Sequence, residues 1–202
     1  MNPAFLAASR YIDFDHSAVA DLARRLGEDA KREGAKEEVD VVRRCFEFVR
    51  DEIQHSWDYR RNPVTARASQ VLAEGTGYCY AKSHLLAALL RANGIAAGLC
   101  YQRLVFDESK PDGFCLHGLN AVYLRDFGWY RIDARGNKPG VQAEFCPPRE
   151  ALAFPIVHPG EADLPEIWSE PLPVVVDALE RYTDVAEVAA HLPDVLLLPG
   201  RP

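Results

Sequence analysis

Apolar residues recur at three- and four-residue steps in two stretches near the start of the chain. The first stretch begins at Ser17 and contains Val19, Leu22, Leu26 and Ala30. The second contains Val39, Val42, Phe46, Val49 and Ile53. This spacing places the apolar side chains on one face of an amphipathic helix. The pattern therefore predicts one helix from Ser17 and a second helix that ends near Gln54.

A third helix is predicted to begin around Cys79. Asn93-Gly94 is a typical helix stop, and the apolar positions before it are Ala81, Leu85, Leu86, Ala88, Leu89 and Leu90. A helix that is apolar around most of its circumference belongs in the centre of a fold. The preceding residues, 55–77, show no sustained period and predict a long loop with a helical turn near 68–73.

Beyond Gly94 the pattern changes to that of extended chain. Three runs, 95–106, 117–124 and 128–133, predict strands, and the last two are expected to form a hairpin. The remainder is rich in proline and predicts loops that wrap the domain before a helix near 174–182. We therefore predict an α+β fold with helices packed on an antiparallel sheet. One domain is expected at 1–154, with a Pro-rich appendage at 155–202 packed on it.

Composition excludes several classes of protein. Apolar residues make up 48% and charged residues 26% of the chain, as in ordinary globular proteins. A formal net charge of −7 disfavours nucleic acid as a partner, and no apolar run approaches the length that crosses a membrane. Without a basic leader, a cytoplasmic location is expected. The five cysteines are odd in number and irregularly spaced, which predicts reduced thiols.

Cys79 is the first candidate for chemistry, because it lies at the predicted start of the central helix. A cysteine is a good nucleophile only as the thiolate, which the positive end of a helix dipole favours. Thr76 is predicted to cap this helix. The amide of Cys79 would face the oxyanion that develops in acyl transfer. A single cysteine in this position is more often a buried structural residue. Whether Cys79 is catalytic therefore depends on which residues lie beside it.

His117 and Asp133 are the expected partners of Cys79. His117 opens one predicted strand and Asp133 ends the next. A hairpin turn centred on Arg125 would set them opposite each other, whereas a two-residue turn at 126–127 would set His117 opposite Gly136. A carboxylate beside the histidine fixes its tautomer and stabilises the imidazolium. The order Cys79, His117, Asp133 predicts a papain-like catalytic triad that acts through a thioester.

Three segments of the chain resemble the core of the transglutaminase-like superfamily. They are Gly77-Tyr-Cys79-Tyr-Ala-Lys-Ser-His and the rest of its helix, His117-Gly-Leu-Asn-Ala-Val-Tyr-Leu, and Trp129-Tyr-Arg-Ile-Asp133. The resemblance runs from about 39 to 133. It implies a papain-like α+β domain with the nucleophile at the start of a central helix. It also implies that Cys79, His117 and Asp133 are nucleophile, base and orienting acid, without a metal or cofactor.

Several functions remain open at this stage. Hydrolysis of an amide or peptide bond in a peptide, protein or small amide is favoured. Acyl transfer to an amine, of the transglutaminase or N-acyltransferase type, is the main alternative, and a non-catalytic binding protein on the same fold is another. The sequence does not indicate an oligomeric state.

Four further residues have weaker predicted roles. Gln54 and Trp57 are candidates for the second oxyanion donor. Cys115 is two residues from His117 and could form a regulatory disulfide with Cys79. Cys115, His117, Cys79 and His84 could also form a metal site, although their spacing is poor for zinc.

Overall fold

The computed structural model describes residues 2–32, 38–106 and 113–195. A short 3-10 helix at Pro3–Leu6 precedes two amphipathic helices, α1 (Ser17–Arg32) and α2 (Glu38–Glu52). Both helices lie where the apolar spacing predicts them. Val42, Phe46 and Val49 of the predicted α2 stripe are fully buried, because this face packs against the central helix.

The central helix, α5 (Cys79–Ala92), confirms the prediction from its apolar sequence. Every side chain from Cys79 to Arg91 is buried, because α5 contacts α1, α2 and the main sheet. The helix ends at Asn93, whose side-chain amide donates to the carbonyls of Ala23 and Leu89 at 3.0 and 2.9 Å. Gly94 then adopts a φ of +73°, the left-handed conformation that commonly follows a helix.

The main sheet has four strands in the order β5-β4-β3-β8. The strands are β3 (Ala97–Val105), β4 (Phe114–Leu124), β5 (Gly128–Ile132) and β8 (Ala162–Asp163), and all neighbours are antiparallel. Contacts of α5 with β3 and β4 place the central helix against this sheet. The predicted α+β fold with helices on an antiparallel sheet is confirmed.

The hairpin between β4 and β5 has a three-residue loop, 125–127. Its ladder runs from the Leu124 and Gly128 pair to the Asn120 and Ile132 pair. Gly128 has a φ of +74°, and a residue in this conformation typically closes a three-residue hairpin loop. The glycine that the sequence pattern assigned to the strand therefore also completes the turn.

This loop overturns both predicted registers. A turn centred on Arg125 would have set His117 opposite Asp133, and a two-residue turn would have set it opposite Gly136. In the structure Asp133 lies one residue beyond the last pair of the ladder. The two side chains therefore meet across the end of the hairpin and not as direct cross-strand neighbours.

The stretch predicted as a long loop is more ordered than expected. It contains β1 (Gln54–His55), α3 (Ser56–Tyr59), α4 (Ala68–Glu74) and β2 (Thr76–Gly77), and β1 pairs with β2 in parallel. Only the turn near 68–73 was predicted, because two-residue strands are too short to show a period. Thr76 is not the cap of α5, since Tyr78 is the N-cap residue and makes no side-chain cap. The Thr76 hydroxyl donates instead to the carbonyl of Gln54 at 3.0 Å.

The C-terminal part wraps the domain and includes the predicted helix, here α6 (Pro173–Arg181). The structure adds β6 (Glu144–Cys146), β7 (Arg149–Ala151) and α7 (Val185–Ala190). Leu99 of β3 exchanges backbone hydrogen bonds with Trp168, and the N–H of Leu116 donates to the carbonyl of Pro193 at 2.7 Å. The boundary between 154 and 155 stays a prediction, and residues 196–202 of the predicted appendage lie outside the described residues. None of the described helices is long and apolar enough to cross a membrane.

Candidate active site

Cys79 is the first residue of α5, and its side chain is buried. The parallel pairing of β1 with β2 holds the backbone just before it. The Sγ atom accepts a hydrogen bond from the backbone N–H of Gly118 in β4 at 3.4 Å. Both this N–H and the N-terminal dipole of the helix favour negative charge on the sulfur.

His117 connects Cys79 to Asp133. Its Nε2 donates to Oδ2 of Asp133 at 2.7 Å, and the imidazole lines the same cavity as the Cys79 thiol, whose charge acts on it. Because Nε2 is occupied by the carboxylate, Nδ1 is the ring nitrogen that faces the sulfur. The three residues predicted from the sequence thus lie together, with His117 hydrogen-bonded to Asp133 and with Cys79 bonded to the N–H of Gly118, the residue after His117.

Asp133 is fully buried, and both of its oxygens accept hydrogen bonds from the backbone. Oδ1 accepts from the N–H of Arg135 at 3.1 Å, and Oδ2 accepts from the N–H of Ala153 at 3.1 Å in addition to His117. These donors fix the plane of the carboxylate. The carboxylate in turn fixes the imidazole ring in the tautomer with a proton on Nε2.

Electrostatics favours the charged forms of His117 and Asp133. Burial by itself lowers the pKa of His117, but the charges of Asp133 and Cys79, with hydrogen bonds to both, outweigh it and raise the pKa to about 10. Burial likewise raises the pKa of Asp133, but the charge and hydrogen bond of His117 and the two backbone donors lower it overall. The arrangement therefore stabilises an imidazolium beside the thiol.

A tyrosine holds the histidine strand against the helix start. Tyr80 is fully buried, and its hydroxyl donates to the carbonyl of Leu116, the residue before His117. Phe154 packs edge-on against the imidazole of His117, with ring centroids 5.0 Å apart. The position of the imidazole is thus set by a hydrogen-bonded strand on one side and an aromatic ring on another.

A cavity of about 540 Å³ opens in front of Cys79 and His117. The apolar lining comes from the end of β3, the residue after it and the C-terminal part, namely Leu104, Val105, Phe106, Phe154, Val157 and Leu192. Glu161 also lines the cavity, but its carboxylate accepts hydrogen bonds from the N–H groups of Val105, Val157 and His158, each at 2.9 Å. This carboxylate is therefore occupied by backbone donors.

Arg135 and Lys138 also line the cavity, and both bind Asp58, which is not itself a lining residue. Oδ2 of Asp58 lies 2.7 Å from the guanidinium of Arg135, and Oδ1 lies 2.7 Å from Nζ of Lys138. Partial burial raises the pKa of Asp58, but the hydrogen bonds from these two cations outweigh it and lower the pKa to about 2. Two cations that line the cavity thus share one carboxylate.

The two predicted oxyanion donors lie in different places. Trp57 lines the cavity, whereas Gln54 does not and accepts a hydrogen bond from Arg61 at 2.9 Å. The sequence reasoning missed His55, which lies between them, lines the cavity and is only 7% exposed. A lone histidine in a two-residue strand has no periodic signal, so only a search for buried polar groups could have found it.

Two weaker predictions from the sequence concern a metal site and a regulatory disulfide. His84 faces away from the cavity and donates from Nδ1 to the carbonyl of Ala66 at 2.7 Å. Within residues 2–32, 38–106 and 113–195, no three His, Cys, Asp or Glu side chains cluster as they would around a metal ion. Cys115 and Cys79 are free thiols that line the same cavity. Burial raises the pKa of Cys115 to about 12, which disfavours the thiolate that disulfide exchange requires.

The chain is similar in sequence to a known protein family. The sequence model of the transglutaminase-like superfamily matches residues 20–134, more than half of the chain. A search of curated proteins found no match.

Two similar solved structures are a protein from Cytophaga hutchinsonii described as a proposed cysteine protease and the periplasmic domain of TgpA from Pseudomonas aeruginosa. The first is 24% identical with a TM-score of 0.47, covering 65% of this chain and 40% of the other. The second is 16% identical with a TM-score of 0.45, covering 64% and 45%. In both comparisons the match spans less than half of the other chain.

Proposed function

The chain belongs to the transglutaminase-like superfamily, and from this membership we propose that it hydrolyses an amide or peptide bond through a thioester. In this proposal Cys79 is the nucleophile, His117 the general base and acid, and Asp133 the residue that orients the histidine. The observation that carries the proposal is the His117–Asp133 hydrogen bond at 2.7 Å in a cavity that Cys79 also lines, with the N–H of Gly118 bonded to the Cys79 sulfur.

Acylation begins when Nδ1 of His117 takes the proton of the Cys79 thiol. The thiolate attacks the carbonyl carbon of the substrate, a C–S bond forms, and negative charge develops on the carbonyl oxygen. In the proposal the backbone N–H of Cys79, which as the first residue of α5 has no acceptor within the helix, donates to this oxygen. When the oxyanion collapses, the C–N bond breaks, and His117 gives its proton to the leaving amine nitrogen.

Deacylation repeats these steps with water. His117 takes a proton from water, and the hydroxide oxygen attacks the thioester carbonyl. Collapse of the second oxyanion breaks the C–S bond and releases a carboxylic acid. The sulfur leaves as a thiolate beside the imidazolium, which is the charge state that Asp133 and the N–H of Gly118 favour.

The cavity wall supports a substrate with an apolar group next to the scissile carbonyl. Leu104, Phe106 and Val157 present apolar surface, and the Glu161 carboxylate is occupied by three backbone donors. A charged substrate side chain here would lose hydration without gaining a partner. An aliphatic or aromatic side chain would gain free energy by leaving water.

Alkylation of the five cysteines with iodoacetamide, followed by mass spectrometry across a range of pH, tests the proposal. We expect Cys79 to react fastest below neutral pH and to slow in His117→Ala, because the variant lacks the imidazolium. Cys115 is the matched internal control, since it lines the same cavity. The proposal fails if Cys79 reacts no faster than the buried Cys45 and Cys100.

Turnover of p-nitrophenyl esters and of a peptide library provides the second readout. Cys79→Ala should abolish turnover, because the variant lacks the proposed nucleophile. Adding a primary amine during turnover distinguishes the acceptors. A free acid as the main product supports a hydrolase, and an amide as the main product supports the acyltransferase alternative.

A further inference from the structure

His55 is a second histidine in the wall of the cavity, and the triad mechanism does not use it. The residue is 7% exposed, and its Nδ1 is buried without a hydrogen-bond partner among the described residues. Oδ2 of Asp58 is 3.7 Å from Nδ1, which is beyond hydrogen-bond distance. A buried polar side chain without a partner is costly to the fold and calls for a functional explanation.

The backbone holds His55 beside the nucleophile. The parallel pairing of β1 with β2 sets His55 opposite Gly77, two residues before Cys79. The imidazole also packs edge-on against Tyr78, the N-cap residue of α5, with ring centroids 5.6 Å apart. The histidine therefore lies beside the two residues that precede Cys79 at the helix start.

His55 is a neutral imidazole with one N–H to donate. Burial lowers its pKa well below the usual value, and the positive charge of Arg135 lowers it further, against the opposing effect of Asp58. Nδ1 has no acceptor within hydrogen-bond distance among the described residues, and a buried N–H without an acceptor is more costly than an unprotonated ring nitrogen. This argument assigns the proton to Nε2, the ring nitrogen that remains to face the cavity.

The surroundings of His55 also favour negative charge. Arg135, Lys82 and His117 all exert a positive potential on the ring. Asp58, the carboxylate that lies 3.7 Å from Nδ1, is bound by Arg135 and Lys138. An oxygen that becomes negative in front of His55 would gain from this potential, whereas a neutral carbonyl oxygen would gain much less.

We propose that His55 is the second oxyanion donor, opposite the N–H of Cys79. The proposal rests on the thiol mechanism above. The imidazole N–H donates a hydrogen bond to the carbonyl oxygen as the C–S bond forms and withdraws from it as the oxyanion collapses. No proton is transferred to or from His55, so the histidine ends each step in its starting form.

Two substitutions separate the donor from the shape of the ring. His55→Phe keeps a planar ring without an N–H, and His55→Gln keeps a side-chain N–H donor. Three probes report on different requirements, namely iodoacetamide, p-nitrophenyl acetate and an N-acetylated dipeptide aldehyde. Alkylation by iodoacetamide needs only the thiolate. Acylation by the ester and addition of the aldehyde both create a tetrahedral carbon that carries a negatively charged oxygen.

We expect His55→Phe to lower kcat for p-nitrophenyl acetate about 100-fold with KM nearly unchanged. The affinity for the aldehyde should fall in parallel, and the rate of Cys79 alkylation should stay within about twofold of wild type, as a role confined to the oxyanion requires. His55→Gln should recover part of the lost kcat. His16→Phe, at an exposed position away from the cavity, is the control for loss of an imidazole.

Turnover of His55→Phe close to that of wild type would overturn the proposal, as would an equal loss of alkylation and of turnover. A larger loss in Trp57→Phe than in His55→Phe would overturn it in favour of the indole N–H. A wild-type protein without fast Cys79 labelling or ester turnover would overturn the thiol mechanism as well. If the phenyl ring prevents folding, His55→Asn and His55→Leu make the same comparison at matched size, and Asn should be the faster variant.

Discussion

Gly118 and Tyr80 are in such close contact that a Cβ atom added to Gly118 would lie 2.9 Å from the tyrosine ring and 3.1 Å from the tyrosine Cα. The N–H of the same glycine donates to Sγ of Cys79 at 3.4 Å. The next residue back, His117, supplies the imidazole. Strand β4 therefore reaches the thiol only because residue 118 has no side chain.

The first prediction concerns Gly118→Ala. The new methyl group would meet the backbone of α5, which cannot move aside, so β4 must shift away from Cys79. We expect Cys79 alkylation and ester turnover to fall at least tenfold, with a loss of about 1–3 kcal/mol in the free energy of unfolding. Iodoacetamide labelling and urea unfolding measure the two effects.

Gly98→Ala is the matched control for this prediction. Its added Cβ would lie 2.3 Å from Cγ2 of Ile167 and 3.0 Å from the Phe5 ring, away from the cavity. It should cost stability without slowing Cys79. Equal labelling rates in wild type and Gly118→Ala would contradict the role of the close contact.

The second prediction concerns Asp133→Asn. The variant removes the negative charge that raises the pKa of His117 and replaces one acceptor oxygen with an amide that cannot accept from His117 or Ala153. We expect the fold to persist, the pKa of His117 to fall from about 10, and kcat to fall on the order of 100-fold or more. An NMR titration of the ring and ester kinetics test these outcomes. Asp126→Asn, in the hairpin loop, is the control, and an unchanged pKa of His117 would argue against the pairing.

Helices and strands with long periodic patterns could be predicted from the sequence, and the short elements could not. The apolar stripes that begin at Val19 and Val39 correspond to α1 and α2, and the apolar run after Cys79 corresponds to α5. β1 and β2 have two residues each and carry no period. The hairpin register depended on the conformation of Gly128 in a turn, which alternation of polar and apolar residues does not report.

The candidate site was predictable where it depended on elements adjacent in the chain. The sequence places Cys79 at a helix start and His117 and Asp133 on successive strands. These residues come together even though both predicted hairpin registers were wrong, because Asp133 follows the last pair of the ladder and its side chain reaches back to His117. His55 was missed, since its proximity to Cys79 comes from β1 pairing with β2. The cavity wall at Leu192 was also missed, because it depends on packing over a long sequence separation.

The third prediction concerns the apolar wall of the cavity. Val157 lines the cavity, and its neighbour Ile156 does not. We expect kcat/KM for p-nitrophenyl esters to rise from acetate to butyrate to hexanoate, by up to about fourfold for each buried methylene. Val157→Asp should flatten this series, because the charge opposes burial of the acyl chain. Ile156→Asp, the adjacent control, should keep the slope of wild type, and equal slopes in all three proteins would refute the apolar site.

The last prediction concerns His84, which is fully buried in the middle of α5. Its Nδ1 donates to the carbonyl of Ala66 at 2.7 Å, and its Nε2 has no partner among the described residues. Burial is the main cause that lowers the pKa of His84 to about 4, and the charge of Arg91 adds to it, against the hydrogen bond to Ala66 and the charge of Asp13. The folded protein therefore binds fewer protons at this site than the unfolded chain between about pH 4 and the ordinary histidine pKa of about 6.5.

His84 therefore makes its full contribution to the free energy of unfolding above about pH 6.5. This contribution decreases as the pH falls through that window and is about 2 kcal/mol smaller at pH 5. His84→Asn keeps an N–H donor for Ala66 but does not titrate. The decrease in the free energy of unfolding between pH 7 and pH 5, measured by urea unfolding, should therefore be about 2 kcal/mol smaller in His84→Asn than in wild type. His55 is also buried and neutral, but it contributes to both proteins and cancels in the difference. His16→Asn, at an exposed position, should leave the decrease unchanged, and an equal decrease in wild type and His84→Asn would show that His84 does not set the acid stability.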